Sequence, residues 1–145
     1  MNRSIVRYSI AKLLQVLAML MLIPLLVGIF YNESVSDLIN FAIPILICII
    51  LSFILGRKSD FQGHIFTKEA MFITASCWIM YSIIGAIPLF LTPSNYHTFV
   101  DAFFEMASGF TTCGASVATD LEALPNSIVF WRSFSHFIGG MGILV

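Results

Sequence analysis

The sequence predicts an all-α membrane protein: two N-terminal transmembrane helices, then a helix, a re-entrant loop and a further helix. Three observations predict it. Of the 145 residues, 59% are hydrophobic and 10% charged, with a mean hydropathy of +0.95; water-soluble domains carry about 45–50% apolar and about 25% charged residues. The charges are gathered between long apolar runs. After the third run comes a stretch rich in Gly, Thr and Ser that is too short to span and too uncharged for an ordinary external loop.

The runs can be taken in chain order. Residues 13–30, between Lys12 and Glu33, are uncharged and rich in Leu, Met, Ile and Val. At about 1.5 Å per residue this approaches the roughly 30 Å hydrocarbon core. Residues 38–55, bounded by Asp37 and by Arg57 with Lys58, form a second run of the same length, and residues 70–91, from Glu69 to the Thr92-Pro93 pair, a third and longer one. Pro24, Pro44 and Pro88 fall inside or near the ends of these runs. Membrane helices tolerate proline because neighbours satisfy the freed carbonyls.

Arg3, Arg7 and Lys12 make a basic leader, but Gly28-Ile29-Phe30-Tyr31-Asn32-Glu33 lacks the small-residue pair of a cleaved signal peptide, which predicts a retained signal anchor. Arg57, Lys58 and Lys68 lie between runs two and three, whereas residues 31–37 and 92–130 hold no Lys or Arg. By the positive-inside rule the N-terminus and the 56–69 loop are cytoplasmic and the stretch after Leu91 starts outside. Asp101, Glu105, Asp120 and Glu122 there read either as an outer vestibule attracting cations or as solvated loop charges.

Residues 99–108 have helical apolar spacing at 99, 100, 103, 106 and 107, over half the length of a span. No charge follows from Met106 to Thr119. A short helix dipping in from outside, a turn at mid-depth and an extended return fit this pattern, and irregular backbone at that depth survives only in protein or against a water-filled cavity. Backbone carbonyls aimed at one axis can replace the hydration oxygens of a potassium ion. Gly114 sits where such a loop needs unusual dihedrals, the hydroxyls of Thr111 and Thr112 add ligands or tie the loop down, and the preceding helix aims the negative end of its dipole at the ion.

The last segment starts near Leu124-Pro125, with Asn126 or Ser127 as N-cap, and runs over residues 128–145. Trp131 suits the interface, Arg132 is placed to snorkel, and Ser135 with Gly139 offers a small-residue face for a neighbouring helix. The run ends without a basic flank, as though it continued.

Ser108-Gly109-Phe110-Thr111-Thr112-Cys113-Gly114-Ala115-Ser116, followed by Trp131-Arg132-Ser133-Phe134-Ser135-His136-Phe137-Ile138-Gly139-Gly140-Met141-Gly142, closely resembles the Trk/Ktr potassium uptake family, in particular its TrkH-type membrane subunit. The resemblance covers the whole chain but one of the family's four potassium-channel-like pore repeats. It implies that residues 1–69 are a leading two-helix hairpin with cytoplasmic ends and that residues 70–145 are the first repeat, its second helix truncated. It further implies that Gly114 is the filter glycine, that Thr111, Thr112 and Cys113 contribute carbonyls to potassium, and that Thr111 and Thr112 bear most directly on the ion. Cys113 departs from the threonine or other small residue usual there, which leaves sensitivity to silver, mercury or oxidants open. The implied partners are membrane lipid, the three remaining repeats, a second copy in a homodimer and a cytoplasmic nucleotide-binding regulatory subunit; the implied location is the bacterial cytoplasmic membrane. No cofactor is implied beyond the transported ion.

The other polar residues carry plainer readings. His97, Asp101 and Glu105 share a helical face, more in keeping with a helix entrance than a metal site. His136 is a functional candidate as an ionisable group in an apolar segment, or a hydrogen-bonded packing residue. Gln15 and Asn40 are expected to bond to neighbouring helices. Cys48, Cys77 and Cys113 have no metal-ligand spacing and read as free thiols. No basic patch suits nucleic acid, and no nucleophile–base pair, phosphate loop or carboxylate pair gives an enzyme a seat. The alternative is a small integral-membrane structural or assembly protein whose Gly/Thr segment packs helices.

Overall fold

The computed structural model describes residues 3–57, 66–92 and 96–144; Lys58, Pro93 and Val145 lie outside the described residues. Five helices follow in order: α1 (Arg3–Phe30), α2 (Val35–Gly56), α3 (Thr67–Leu91), α4 (Phe99–Phe110) and α5 (Asn126–Leu144). The first three are long and apolar enough to cross a membrane. Helix α1 starts ten residues before the apolar run, because Arg7 and Lys12 sit on its first turns, where polar side chains extend a helix beyond its apolar stretch without any hydropathy signal.

Each long helix has one stripe turned to protein. On α1 it is Leu14, Leu17, Ala18 and Met21, on α2 Phe41, Ile45, Cys48 and Ser52, and on α3 Tyr81, Ile84 and Pro88, the three-and-four spacing of a helix face. The other faces are as apolar: Met19, Leu26, Leu46, Phe53 and Met71 are exposed. In water this pattern would aggregate, whereas lipid solvates it.

Lipid tails are as apolar as leucine, so polar cross-links and close packing have to specify the bundle. Ser52 Oγ donates to the Ala11 carbonyl at 2.9 Å, joining α2 to α1, and Tyr81 Oη donates to the Leu13 carbonyl at 2.7 Å, joining α3 to α1. Asn40 Nδ2 donates to Thr92 Oγ1 at 3.3 Å, so this residue does bond across helices as expected. Gln15 does not: it is exposed and accepts from Lys12 of its own helix at 3.3 Å.

The turn from α1 to α2 also anchors α5. Helix α1 ends with Asn32 left-handed at φ 52°, the Glu33 N–H bonded back to the Gly28 carbonyl and the Asn32 N–H to that of Ile29, which is the Schellman arrangement. The Glu33 carboxylate then accepts the Ser127 N–H at 2.9 Å and the Ser127 hydroxyl at 2.5 Å, placing a negative charge on the first turn of α5. Ser127 is therefore held by Glu33 rather than serving as N-cap. Pro125 precedes the helix, its carbonyl accepting from Ile128 and Val129.

Candidate functional site

Helix α4 begins in a reciprocal cap. Thr98 Oγ1 accepts the Asp101 N–H at 3.2 Å, while Asp101 Oδ2 accepts the Thr98 N–H at 3.0 Å and its hydroxyl at 2.8 Å, satisfying groups that a helix start leaves open. The carboxylate of Asp101 is thus committed to the cap. Ala102, Met106 and Phe110, four apart, are buried against α3 and α5.

The end of α4 shapes the loop. Thr112 has φ 58° and Gly114 φ 77°, while Thr111 has φ −84° and Cys113 stays on the negative side, so handedness alternates over four residues. The N–H of Thr111 bonds the Ala107 carbonyl at 2.9 Å, that of Thr112 the Gly109 carbonyl at 2.9 Å, and those of Cys113 and Gly114 the Ser108 carbonyl at 2.9 and 3.4 Å. This is again a Schellman end, with a β-branched threonine where glycine is usual. Left-handed backbone costs a side-chain-bearing residue about 1–2 kcal/mol, a strain held here by the four turned-back amides. In a planar trans peptide the N–H and C=O point opposite ways. With the amides of 112, 113 and 114 turned onto α4, the carbonyls of Thr111, Thr112 and Cys113 face away from it, and no described residue donates to them. Residues 111–117 are exposed.

What holds this loop is buried behind it. Phe110 lies edge-on between Tyr81 and Trp131, with ring centroids 5.7 and 6.1 Å away. Trp131 is fully buried and donates Nε1–H to the Gly85 carbonyl at 3.1 Å; the expected interfacial position gives way because this N–H finds a partner inside the bundle. Ser135 and Gly139 do form a close-approach face, and it receives the end of α4: a Cβ on Gly139 would overlap the Phe110 carbonyl, and one on Gly109 would meet Ser135.

The return limb is tied by charge. Glu105, 3% exposed, pairs with Arg132, whose Nε and Nη2 lie 2.6 and 2.5 Å from Oε1. Its Oε2 accepts the Val117 N–H at 2.9 Å and the Ser116 hydroxyl at 3.2 Å, and Arg132 Nη2 also reaches Ser116 Oγ at 3.2 Å. Glu105 is therefore not a vestibule charge, and Arg132 does not snorkel. Each neutralises the other where an isolated charge would be costly. Next to this pair, Tyr96 is buried and its hydroxyl has no partner among the described residues; burial pushes its phenol up to about 12, the Glu105 charge adds to this and Arg132 opposes it. His136 is half-buried, its Nδ1 2.9 Å from the Arg132 carbonyl of its own helix. Among the described residues no group of three His, Cys, Asp or Glu could hold a metal, so His97, Asp101 and Glu105 do not converge.

Apolar spans around a short helix whose end presents a strained, carbonyl-bearing loop define a multi-span membrane protein. The chain belongs to the TrkH family, described as cation transport protein, whose profile matches residues 38–145. It is 38% identical over 138 residues to an uncharacterized cation transporter of Methanocaldococcus jannaschii, covering 95% of this chain and 28% of that protein. It is 36% identical over 126 residues to the Trk system potassium uptake protein TrkG of Escherichia coli K12, covering 86% and 26%. The crystal structure of the potassium transporter TrkH from Vibrio parahaemolyticus superposes with a TM-score of 0.88 at 29% identity, over 99% of this chain and 31% of that one. The chain thus spans between 26% and 31% of the length of these relatives.

Proposed function

We propose that this chain is the leading part of the pore-forming subunit of a Trk-type potassium uptake system, with Thr111, Thr112, Cys113 and Gly114 contributing to a selectivity filter through backbone carbonyls. The observation that carries the reading is the turning back of consecutive amides onto α4, which leaves the carbonyls of 111–113 facing one open side without a donor. A dehydrating cation needs such oxygens, and the C-terminal dipole end of α4 favours positive charge beside them. Gly114 is required by its dihedral, since nothing lies within 4 Å of where its Cβ would stand.

One loop cannot encircle an ion, so three equivalent loops complete the filter in the full-length protein. In this reading the basic residues Arg3, Arg7, Lys12 and Arg57 favour a cytoplasmic N-terminus under the positive-inside rule, in the bacterial cytoplasmic membrane. A homodimer and a cytoplasmic nucleotide-binding subunit belong to the same reading, which assigns the chain transport and no catalysis. Close helix packing is confined to the start of the Gly/Thr segment, where Gly109 meets Ser135 and Phe110 meets Gly139, whereas Thr111 to Ser116 are exposed, which favours the filter reading over a packing role for that part.

The test is potassium or rubidium uptake into a transport-deficient bacterium expressing the full-length protein, wild type beside Gly114→Ser at matched membrane abundance. Loss of uptake in the variant is expected; unchanged uptake overturns the placing of this loop in the ion path.

A further inference from the structure

We infer that the outward groove between α1 and α2 is a binding site for an anionic glycerophospholipid. Its mouth is a cavity of about 300 Å³ lined by Tyr8, Lys12, Gln15, Ser52, Phe53 and Arg57. Gln15, Ser52 and Phe53 are shared with a second cavity of about 350 Å³, which continues along Met19, Leu22, Ile45 and Ile49. One slot therefore runs from a basic end to a wholly apolar end. From Lys12 to Leu22, at about 1.5 Å per residue, it is about 15 Å long, half of the roughly 30 Å hydrocarbon and so the depth of one leaflet.

Both cations are held at the mouth. Lys12 Nζ donates to Gln15 Oε1 at 3.3 Å and sits 5.7 Å from the Tyr8 ring centre, and the Arg57 guanidinium lies 5.3 Å from the Phe53 ring centre. Neither is ion-paired with a described residue, and no carboxylate lines either cavity. A phosphodiester at the mouth supplies the missing charge, and its acyl chain lies along the apolar wall. The change from basic mouth to apolar wall follows the change from headgroup to acyl chain, which a free phosphate lacks, and two cations with no carboxylate beside them favour a net anionic headgroup over a zwitterionic one.

Native mass spectrometry of the full-length protein in mild detergent, titrated with phosphatidylglycerol or phosphatidylcholine, tests this. Wild type is expected to retain phosphatidylglycerol in preference to phosphatidylcholine. Lys12→Gln with Arg57→Gln should weaken retention by roughly twenty-five-fold, each basic residue near a membrane surface contributing about five-fold. Lys68→Gln, which removes a positive charge outside the groove, leaves it unchanged. Ile49→Trp, which fills the apolar wall with the basic pair intact, also expels the lipid and keeps the test decisive if the double variant misfolds. Equal retention by wild type and either groove variant, equal binding of phosphatidylcholine, or displacement by inorganic phosphate overturns the site.

Discussion

Glu105 on α4 and Arg132 on α5 form an ion pair 2.5 Å long, and the remaining oxygen of the same carboxylate holds the Val117 amide at 2.9 Å. One buried charge thus ties the short helix, the last helix and the return limb of the loop. Removing one partner of a buried pair leaves an uncompensated charge and costs about 3–5 kcal/mol. Arg132→Gln is accordingly expected to lower the thermal midpoint of the full-length protein and to relax discrimination between potassium and sodium. Glu105→Gln with Arg132→Gln, having no charge left over, should lose less stability than the two single changes summed. Additive losses in thermal unfolding would show the pair to be uncoupled.

Two adjacent glycines on α5 separate packing from position. At Gly139 a Cβ would overlap the Phe110 carbonyl and come within 2.7 Å of its carbon, both backbone atoms that cannot swing aside; at Gly140 the nearest atom is Thr112 Cγ2 at 4.0 Å. Gly139→Ala should therefore displace the end of α4, cost about 1–3 kcal/mol as overpacking does, and sharply reduce uptake. Gly140→Ala should be near neutral in both assays. Equal tolerance at the two positions would mean that the end of α4 is not seated on α5.

The bounds of the spans are legible because charges in lipid are costly, so Glu33, Asp37, Arg57 and Glu69 mark the ends of apolar runs. The half-length of α4 is legible for the same reason, its apolar spacing stopping where Gly and Thr begin. The pairing of Glu105 with Arg132 is not, since a lone arginine in an apolar segment reaches either an interface or a carboxylate, and sequence spacing does not choose. Trp131 goes unread because its ring suits interface and core alike until the Gly85 carbonyl is placed. The left-handed Thr112 is hidden too: threonine disfavours that conformation, and only the closing of α4 by its own following amides imposes it. The first turns of α1 and the link from Glu33 to Ser127 lie outside any hydropathy pattern.

Tyr96 gives a pH dependence with a defined sign. Its phenol is pushed from 10.0 up to about 12 by burial first, then by the Glu105 charge. The folded protein holds this proton more tightly than the unfolded chain does. The associated stability is whole below pH 10.0 and is lost as pH rises toward about 12. Tyr96→Phe removes a buried hydroxyl that has no partner among the described residues, so it should be neutral or slightly stabilising at pH 7 and should flatten the alkaline loss. Stability curves of the two proteins that stay parallel from pH 9 to 12 would contradict this.

Cys113 allows the loop to be probed without disturbing its fold. It is exposed, whereas Cys48 is buried and Cys77 half-buried, so a small impermeant thiol reagent should modify Cys113 first in the full-length protein. If the carbonyls of Thr111 to Gly114 line an ion path, the added group obstructs it and uptake falls as labelling proceeds. Potassium occupying the path should slow the labelling. Cys113→Ser, which keeps the backbone and removes the thiol, should retain most uptake and become insensitive to the reagent, because ligation by carbonyls does not depend on the side chain. Labelling of Cys113 to completion with uptake intact would place this loop away from the ion, whatever its carbonyls face.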